Sequence, residues 1–415
     1  MGMWARIGGT VWGKFILLGA GHFLGALLGF IATIIAVRAL GDSGFAAVAI
    51  VLAIQGYAFS VVSFGTELYA VPQVARAHTQ LAPFLAMTTM LRLAMSLPVF
   101  LFLVGLGLSG AFDDPTSLAI LYVSTSVFFF VFSPVWASMA LERPGILAAI
   151  LLGGQVVILA MTLAANALDA PPWGFVLPKV IADLVMALAA FSWARRQSGP
   201  LQLGAGLRAA AKELSTIAPL GFSQLLRSAF VTLDVAILGL FAAAPEVGKF
   251  AVAFRIYMFI FMIGSRYFVI ILPIFSQQIK AGIGGLTREL SLSFFRTIPV
   301  YLLGLAIVMI YAEPLLVLVF GPEFAAAAPA LKILTVAATL NFIQQTYRQV
   351  LLAAHAHKTD FRNNAIAIMF KLPSIVILSL YFGMLGAAVA MVIGDLCLLL
   401  LQRRAAKRLL GATPQ

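Results

Sequence analysis

Apolar residues along this chain gather into runs of about 20, separated by short turns rich in Gly, Pro, Asp and Arg. A run of that length is what one α-helix needs to cross the ~30 Å hydrocarbon core of a bilayer. The pattern predicts about twelve spans, at 15–37, 45–66, 85–108, 117–140, 146–167, 173–194, 215–241, 249–275, 292–312, 327–352, 363–382 and 384–402. The longest polar interval, Arg195 to Lys212, splits them into two sets of six. The expected organisation is an N-terminal lobe over 1–194, a cytoplasmic linker over 195–214 and a C-terminal lobe over 215–415. After Gln197-Ser198-Gly199-Pro200 the linker reads as a basic amphipathic segment suited to the inner leaflet.

Composition agrees with the pattern. The chain is 62% hydrophobic and 10% charged, with a mean hydropathy of +1.05. A soluble surface is usually about a quarter charged or more, so a soluble globular protein is excluded. The expected fold is an all-α integral membrane protein. A net charge of +12 suggests nucleic acid in a soluble chain; here most of it lies in short loops beside apolar runs and reports orientation instead. Arg6 and Lys14, Arg76, Arg143, the Arg195–Lys212 cluster, Lys280 and Arg288, Lys358 and Arg362, and Arg403–Arg408 fall on every second loop. Asp42, Asp113, Asp114, Asp169, Glu246, Glu313 and Glu323 mark the other side, where Arg38, Lys249 and Lys332 sit at span ends. Both termini are therefore expected in the cytoplasm. The first apolar run is too long for a signal-peptide core, so the N-terminus is expected to be retained. The single Cys397 excludes a disulfide and a cysteine metal site, and the four scattered histidines offer no metal site either. No cofactor is expected.

Charges inside the spans carry the chemistry. Thr216–Gln277 holds two apolar runs joined by the turn Ala244–Gly248, a predicted helical hairpin. Arg227 and Asp234 lie in its first run, two turns apart on one face; Arg255 and Arg266 share a stripe of the second, about 16 Å apart. A charge facing lipid near mid-bilayer costs on the order of 3 kcal/mol, so both stripes are expected to face protein or a wet cavity. Lys179 and Asp183 in span six have ion-pair spacing. These six are the candidate substrate-binding residues. Arg92 begins span three, Lys371 lies within span eleven, Arg348 is expected to snorkel to the inner surface, and the deep Asp395 should face another helix. Gly21, Gly25 and Gly29 let another helix approach span one closely.

Two decoys are set aside. Gly8-Gly9-Thr10-Val11-Trp12-Gly13-Lys14 nearly matches a phosphate-binding loop, but Phe15 follows and no strand precedes it. His355 and Asp360 have an acyltransferase-like spacing in a short loop that offers no oxyanion hole.

Gly44-Phe45-Ala46-Ala47-Val48-Ala49 and Lys249-Phe250-Ala251-Val252-Ala253 open spans two and eight, as a parallel repeat would. The Arg38–Phe45 turn, Asp234–Gly239, Val247–Ile256, Leu272-Pro273, the Phe320–Phe324 turn followed by Ala328-Pro329-Ala330-Leu331, and Gly383–Ala388 make the chain resemble the polysaccharide-export and O-antigen flippase branch of the multidrug/oligosaccharidyl-lipid/polysaccharide exporter superfamily. The resemblance implies two six-helix lobes around a central cavity in the bacterial inner membrane, moving a polyprenyl-diphosphate-linked glycan by alternating access. The span-one charge cluster of peptidoglycan-precursor flippases is absent; span one has only His22 and the terminal Arg38. Expected partners are the lipid-linked glycan and membrane lipids, with a coupling cation and glycan-assembly proteins as further candidates, and no nucleic acid. Arg227, Arg255 and Arg266 suit an anionic diphosphate. An ion-coupled multidrug exporter of the same superfamily is the alternative, with Asp183, Asp234 or Asp395 binding the cation. A membrane enzyme would need a sizeable extramembrane catalytic loop, and no loop here exceeds roughly 20 residues.

Overall fold

The computed structural model describes residues 11–281, 298–354 and 356–411, and among these the regular structure is helical with no strand. The helices are α1 (Val11–Ser63), α2 (Thr66–Arg76), α3 (Leu81–Leu108), α4 (Asp114–Val131), α5 (Trp136–Ala140), α6 (Pro144–Ala167), α7 (Leu177–Gln197), α8 (Leu203–Phe241), α9 (Ala244–Ala281), α10 (Ile298–Ile310), α11 (Ala312–Phe320), α12 (Ala328–Ala353) and α13 (His357–Gly411). Among the described residues eight helices are long and apolar enough to cross a membrane, or nine if the pair Pro299–Ile310 and Ala312–Phe320, bent by 72°, is one span. The chain is a multi-pass membrane protein. Two helices are double length, α1 with 53 residues and α13 with 55. Each is broken at one glycine of positive φ, Gly41 at 66° and Gly383 at 52°, so each holds two of the expected spans. Residues 292–297 of expected span nine lie outside the described residues.

The chain divides into two compact units, one comprising residues up to Leu40 and Ala47–Ser228, the other Gly41–Ala46 and Ala229–Gln415. In the first unit α1 packs on α6 through the predicted glycine stripe. A Cβ on Gly21 would stand 2.7 Å from the Ala148 Cβ, and one on Gly29 would stand 2.6 Å from Gln155 Oε1. Two expected spans are broken. Span two ends at Phe64 (φ 39°) and Gly65 (φ 75°) and resumes as α2. Span four stops at Phe132 and resumes as α5 after Pro134, which cannot donate to the helix ladder. Ala70 and Val74 of α2, Leu81 and Leu85 of α3 and Trp136 of α5 share one buried cluster. The expected linker is helical from Leu203, and α8 runs unbroken from it into span seven. Residues 213–228 belong to the first unit, where Glu213 accepts from the Tyr69 hydroxyl at 2.8 Å and Gln224 Oε1 accepts from the Gly65 amide at 3.1 Å.

In the second unit the turns from the acidic side converge. Lys249 Nζ lies 3.0 Å from Asp42 Oδ2, and a Cβ on Gly248 would come within 1.8 Å of the Asp42 carbonyl. The Met384 amide donates to Glu246 Oε2 at 3.1 Å, beside the Gly383 break. Burial pushes the Asp42 carboxyl up, but hydrogen bonds from Lys249 and Ser43 and the Lys249 charge outweigh it and hold it below the ordinary aspartate value. At the other end Asp360 is held by Arg348 Nε, 3.2 Å from both carboxylate oxygens, and by Gln402 Nε2 at 2.7 Å. Arg348 is thus paired rather than snorkelling, because α13 begins beside the end of α12 and presents a buried carboxylate there.

Candidate functional site

α8 and α9, the two runs of the predicted hairpin, are joined over Ala242 and Ala243, a shorter connection than the sequence suggests. Its charges do not act as one set. Arg227 is exposed in the part of α8 that belongs to the first unit; Asp234, two turns on, is buried in the second. A shared helical face does not guarantee a shared environment when the neighbours change along the helix. Asp234 Oδ2 accepts from Lys371 Nζ at 2.8 Å, and each residue is 2% exposed. The same ammonium donates to the Phe230 carbonyl and lies 4.3 Å from the Phe230 ring centroid. Asp395, as expected, faces another helix and accepts from Asn341 Nδ2 at 3.0 Å.

Arg255 differs from these. It is half-buried on α9, and among the described residues no carboxylate lies within ion-pair distance of its guanidinium. The pairing with Asp234 that the hairpin invites is not made, since Lys371 occupies that carboxylate. Beside Arg255 runs an aromatic ladder: Phe254 stacks on Phe250 and on Tyr257, with centroids 6.0 Å and 5.6 Å apart. The Arg266 side chain lies outside the described residues.

In the first unit Lys179 and Asp183 pair as their spacing predicts. Gln55 Nε2 donates to Asp183 Oδ2 at 2.9 Å and to Ser126 Oγ at 2.8 Å, so the carboxylate is satisfied from two helices. The Lys179 ammonium lies 5.3 Å from the Phe59 ring, Phe59 stacks on Phe130 at 4.5 Å, and Phe130 lies 5.0 Å from the Arg92 guanidinium. Arg92 is not at a span end: it is 1% exposed and ties both broken spans. It donates to Thr66 Oγ1 at 3.2 Å and Glu67 Oε1 at 2.8 Å after one break, and to the Ser133 carbonyl at 3.0 Å within the other. A helix break in a membrane leaves backbone carbonyls without partners, and a planar guanidinium can serve several acceptors at once. Sequence reasoning missed Arg92 and Lys371 as cluster centres. The signal was a lone cation deep in an apolar run, which demands a partner.

The acyltransferase-like spacing gains no support, since Asp360 is consumed by Arg348, Gln402 and Asn364; His355 lies outside the described residues. Among the described residues no three His, Cys, Asp or Glu side chains gather as a metal ion would require.

Comparison with known proteins places this arrangement. Residues 11–278, more than half of the chain, match the family described as "Polysaccharide biosynthesis protein". No curated protein matches the chain. Among solved structures, the lipid II flippase MurJ in an inward closed conformation superposes with a TM-score of 0.75 at 14% identity, covering 94% of this chain and 87% of that one. An inward-facing multidrug resistance MATE family transporter of the MOP superfamily gives 0.72 at 15% identity, over 93% and 95% of the two chains. A MOP superfamily transporter from Pyrococcus furiosus, whose structure is described by the reverse polarity of its binding pocket, gives 0.65 at 14% identity, over 99% and 98%. At such identities these likenesses establish the fold, and the family match establishes the lineage: an all-helical chain with the fold of MurJ and the MATE transporters, this protein belongs to the polysaccharide biosynthesis protein family.

Proposed function

We propose that the protein is a flippase, not an enzyme, that moves a polyprenyl-diphosphate-linked oligosaccharide or polysaccharide repeat unit across the bacterial cytoplasmic membrane by alternating access, with both termini in the cytoplasm. The observation that carries this reading is Arg255, a half-buried cation within an apolar helix that no carboxylate among the described residues neutralises. A guanidinium so placed retains unspent hydrogen-bonding capacity, and its fork matches two oxygens of a diphosphate. Lys371, Arg92 and Lys179 are each committed to a carboxylate. Arg227 and Arg266 are proposed as auxiliary cations, while Asp234 is paired with Lys371 within the second unit and Lys179 with Asp183 within the first. That MurJ is a lipid II flippase, and that the family is one of polysaccharide biosynthesis, both support a lipid-linked glycan as the cargo.

The test is export of the lipid-linked glycan in cells carrying Arg255 variants at matched protein abundance. Arg255→Ala abolishes export, with the glycan accumulating on the cytoplasmic leaflet. Arg255→Lys keeps the charge but loses the fork, so export falls sharply. Because Asp234 is already paired, Asp234→Asn does not rescue Arg255→Ala. Full export by that double variant would remove Arg255 from the binding role.

A second reading, an ion-coupled exporter, draws on one observation: Asp234, Asp395 and Lys371 place two carboxylates and one ammonium in the buried interior of the same unit. A proton or monovalent cation at Asp395 would balance them. Loss of cation-dependent transport in Asp395→Asn, with glycan export unaffected, would favour it.

A further inference from the structure

The two ends of α13 carry six exposed cations, Lys358, Arg362, Arg403, Arg404, Lys407 and Arg408, which the proposed transport site does not use. The fold brings them together. The Gly383 break returns the second limb alongside the first, and Gln402 ties to Asp360 at 2.7 Å and to Asn363 at 3.4 Å. Lys358, Arg362, Arg403 and Arg404 thus lie within about one helical turn of this tie. Little opposes their charge. Asp360 and Asp395 are the only acids of α13; the first is taken by Arg348 and the second is deep in the span. Among the described residues none of the six cations is in an ion pair.

Their direction is as informative as their number. Val389, Ile393, Leu396 and Leu400 are exposed at helical spacing along the second limb, a stripe that faces lipid in a membrane. Arg403, Arg404 and Lys407 continue that stripe, while Gln402 and Ala406 occupy the opposite face and are 0% exposed. On the first limb, Lys358 and Arg362 continue in the same way into exposed Met369 and Ile377. The cations therefore stand on the same exposed face, where the apolar stripe ends, and in a bilayer that place corresponds to the headgroup level.

We propose that the paired ends of α13 form a binding site for anionic phospholipid headgroups of the adjoining leaflet, which is the inner leaflet in the orientation proposed above. Two cationic limbs, fixed by the Gln402 tie, bracket the lipid phosphate while the acyl chains lie along the exposed apolar stripes. Basic pockets between spans suit such headgroups, each Lys or Arg adding attraction that salt weakens. An ordinary orientation signal requires only an excess of cations in the loop. It does not require them to continue lipid-facing stripes or to be tied together across two helices.

The experiment measures lipid binding to the full-length protein in phosphatidylcholine nanodiscs, by native mass spectrometry on release, with phosphatidylglycerol titrated in. The expected result is saturable retention of phosphatidylglycerol, at least tenfold over phosphatidylcholine, reduced by salt. The variant Arg403→Gln/Arg404→Gln/Lys407→Gln/Arg408→Gln loses at least tenfold of that preference. The control Arg195→Gln/Arg196→Gln/Arg208→Gln/Lys212→Gln removes the same charge from the first unit and keeps the preference. Equal loss in both variants would reduce the effect to bulk charge and overturn the site. Full displacement by inorganic diphosphate would make it a site for free phosphates, and full displacement by polyprenyl diphosphate would make it part of the substrate path; either result overturns the assignment. Gln402→Leu, which unties the limbs but keeps all six cations, weakens retention; unchanged retention would show that the tie is irrelevant and would refute the paired geometry. Because retention is read without transport, failure here leaves the flippase reading standing.

Discussion

The most exacting prediction concerns Lys371→Met. The substitution preserves the length of the side chain and its packing; a Cβ on Gly394 would stand 2.9 Å from the Lys371 Cδ, so the stem lies closely against that helix. Methionine keeps most of this contact, and the cavity term stays small. What disappears is the ammonium, 2.8 Å from Asp234 Oδ2, where both residues are 2% exposed. Removing one partner of a buried pair costs about 3–5 kcal/mol, because a carboxylate is left uncompensated. At ~1.4 kcal/mol per tenfold, that is roughly a thousandfold in the unfolding equilibrium. The assay is denaturant unfolding of the full-length protein in micelles, followed by the fluorescence of its 5 tryptophans. Asp234→Asn added to Lys371→Met removes the orphaned charge, and the double variant recovers to within about 1–2 kcal/mol of the parent. A wild-type midpoint for Lys371→Met, or a double variant no more stable than the single, would refute the pair as an element of stability.

Further expectations follow from the same reasoning. Arg92→Leu leaves the Ser133 carbonyl and Glu67 without their donor and costs about 2–4 kcal/mol, whereas Glu67→Gln, at a position 41% exposed, costs under about 1 kcal/mol; thermal unfolding of the purified variants compares them. Gly248→Ala places a methyl 1.8 Å from the Asp42 carbonyl and lowers folded yield, while Gly105→Ala, with no atom within 4 Å of the added Cβ, leaves it unchanged; size-exclusion profiles of expressed protein decide. The Asp42–Lys249 pair gives the second unit a pH dependence of fixed sign. With the folded carboxyl below its ordinary value of 3.8, its contribution of about 1 kcal/mol is complete above that value and is lost as the pH falls through the lowered one. The stability difference between the parent and Lys249→Gln therefore stays level from neutral pH to about 5 and shrinks only below about 4, as melts across that range would show.

The amino-acid sequence by itself determined the class of this protein. Runs of about 20 apolar residues cannot be covered by water, and in lipid their backbone groups are satisfied only by helices or closed barrels, so a helical membrane chain follows from pattern alone. Local spacing also carried the Lys179–Asp183 pair and the Gly21–Gly29 stripe, since both depend on positions one helical turn apart. Partners far apart in the chain were not legible. The sequence shows that Asp234 and Lys371 each need a counter-charge, yet 137 residues separate them. Likewise nothing local tells Arg92 to reach Glu67 and Ser133, or Arg348 to turn from the surface to Asp360. Helix periodicity specifies which face a residue occupies, and only packing specifies what that face meets. The breaks at Gly65 and Pro134 and at Gly41 and Gly383 are similar cases: the residue permits the bend, and the neighbouring helices decide that it is made. Arg255 shows the consequence for function, because its lack of a carboxylate partner among the described residues became visible only once the tertiary structure had assigned Asp234 to another cation.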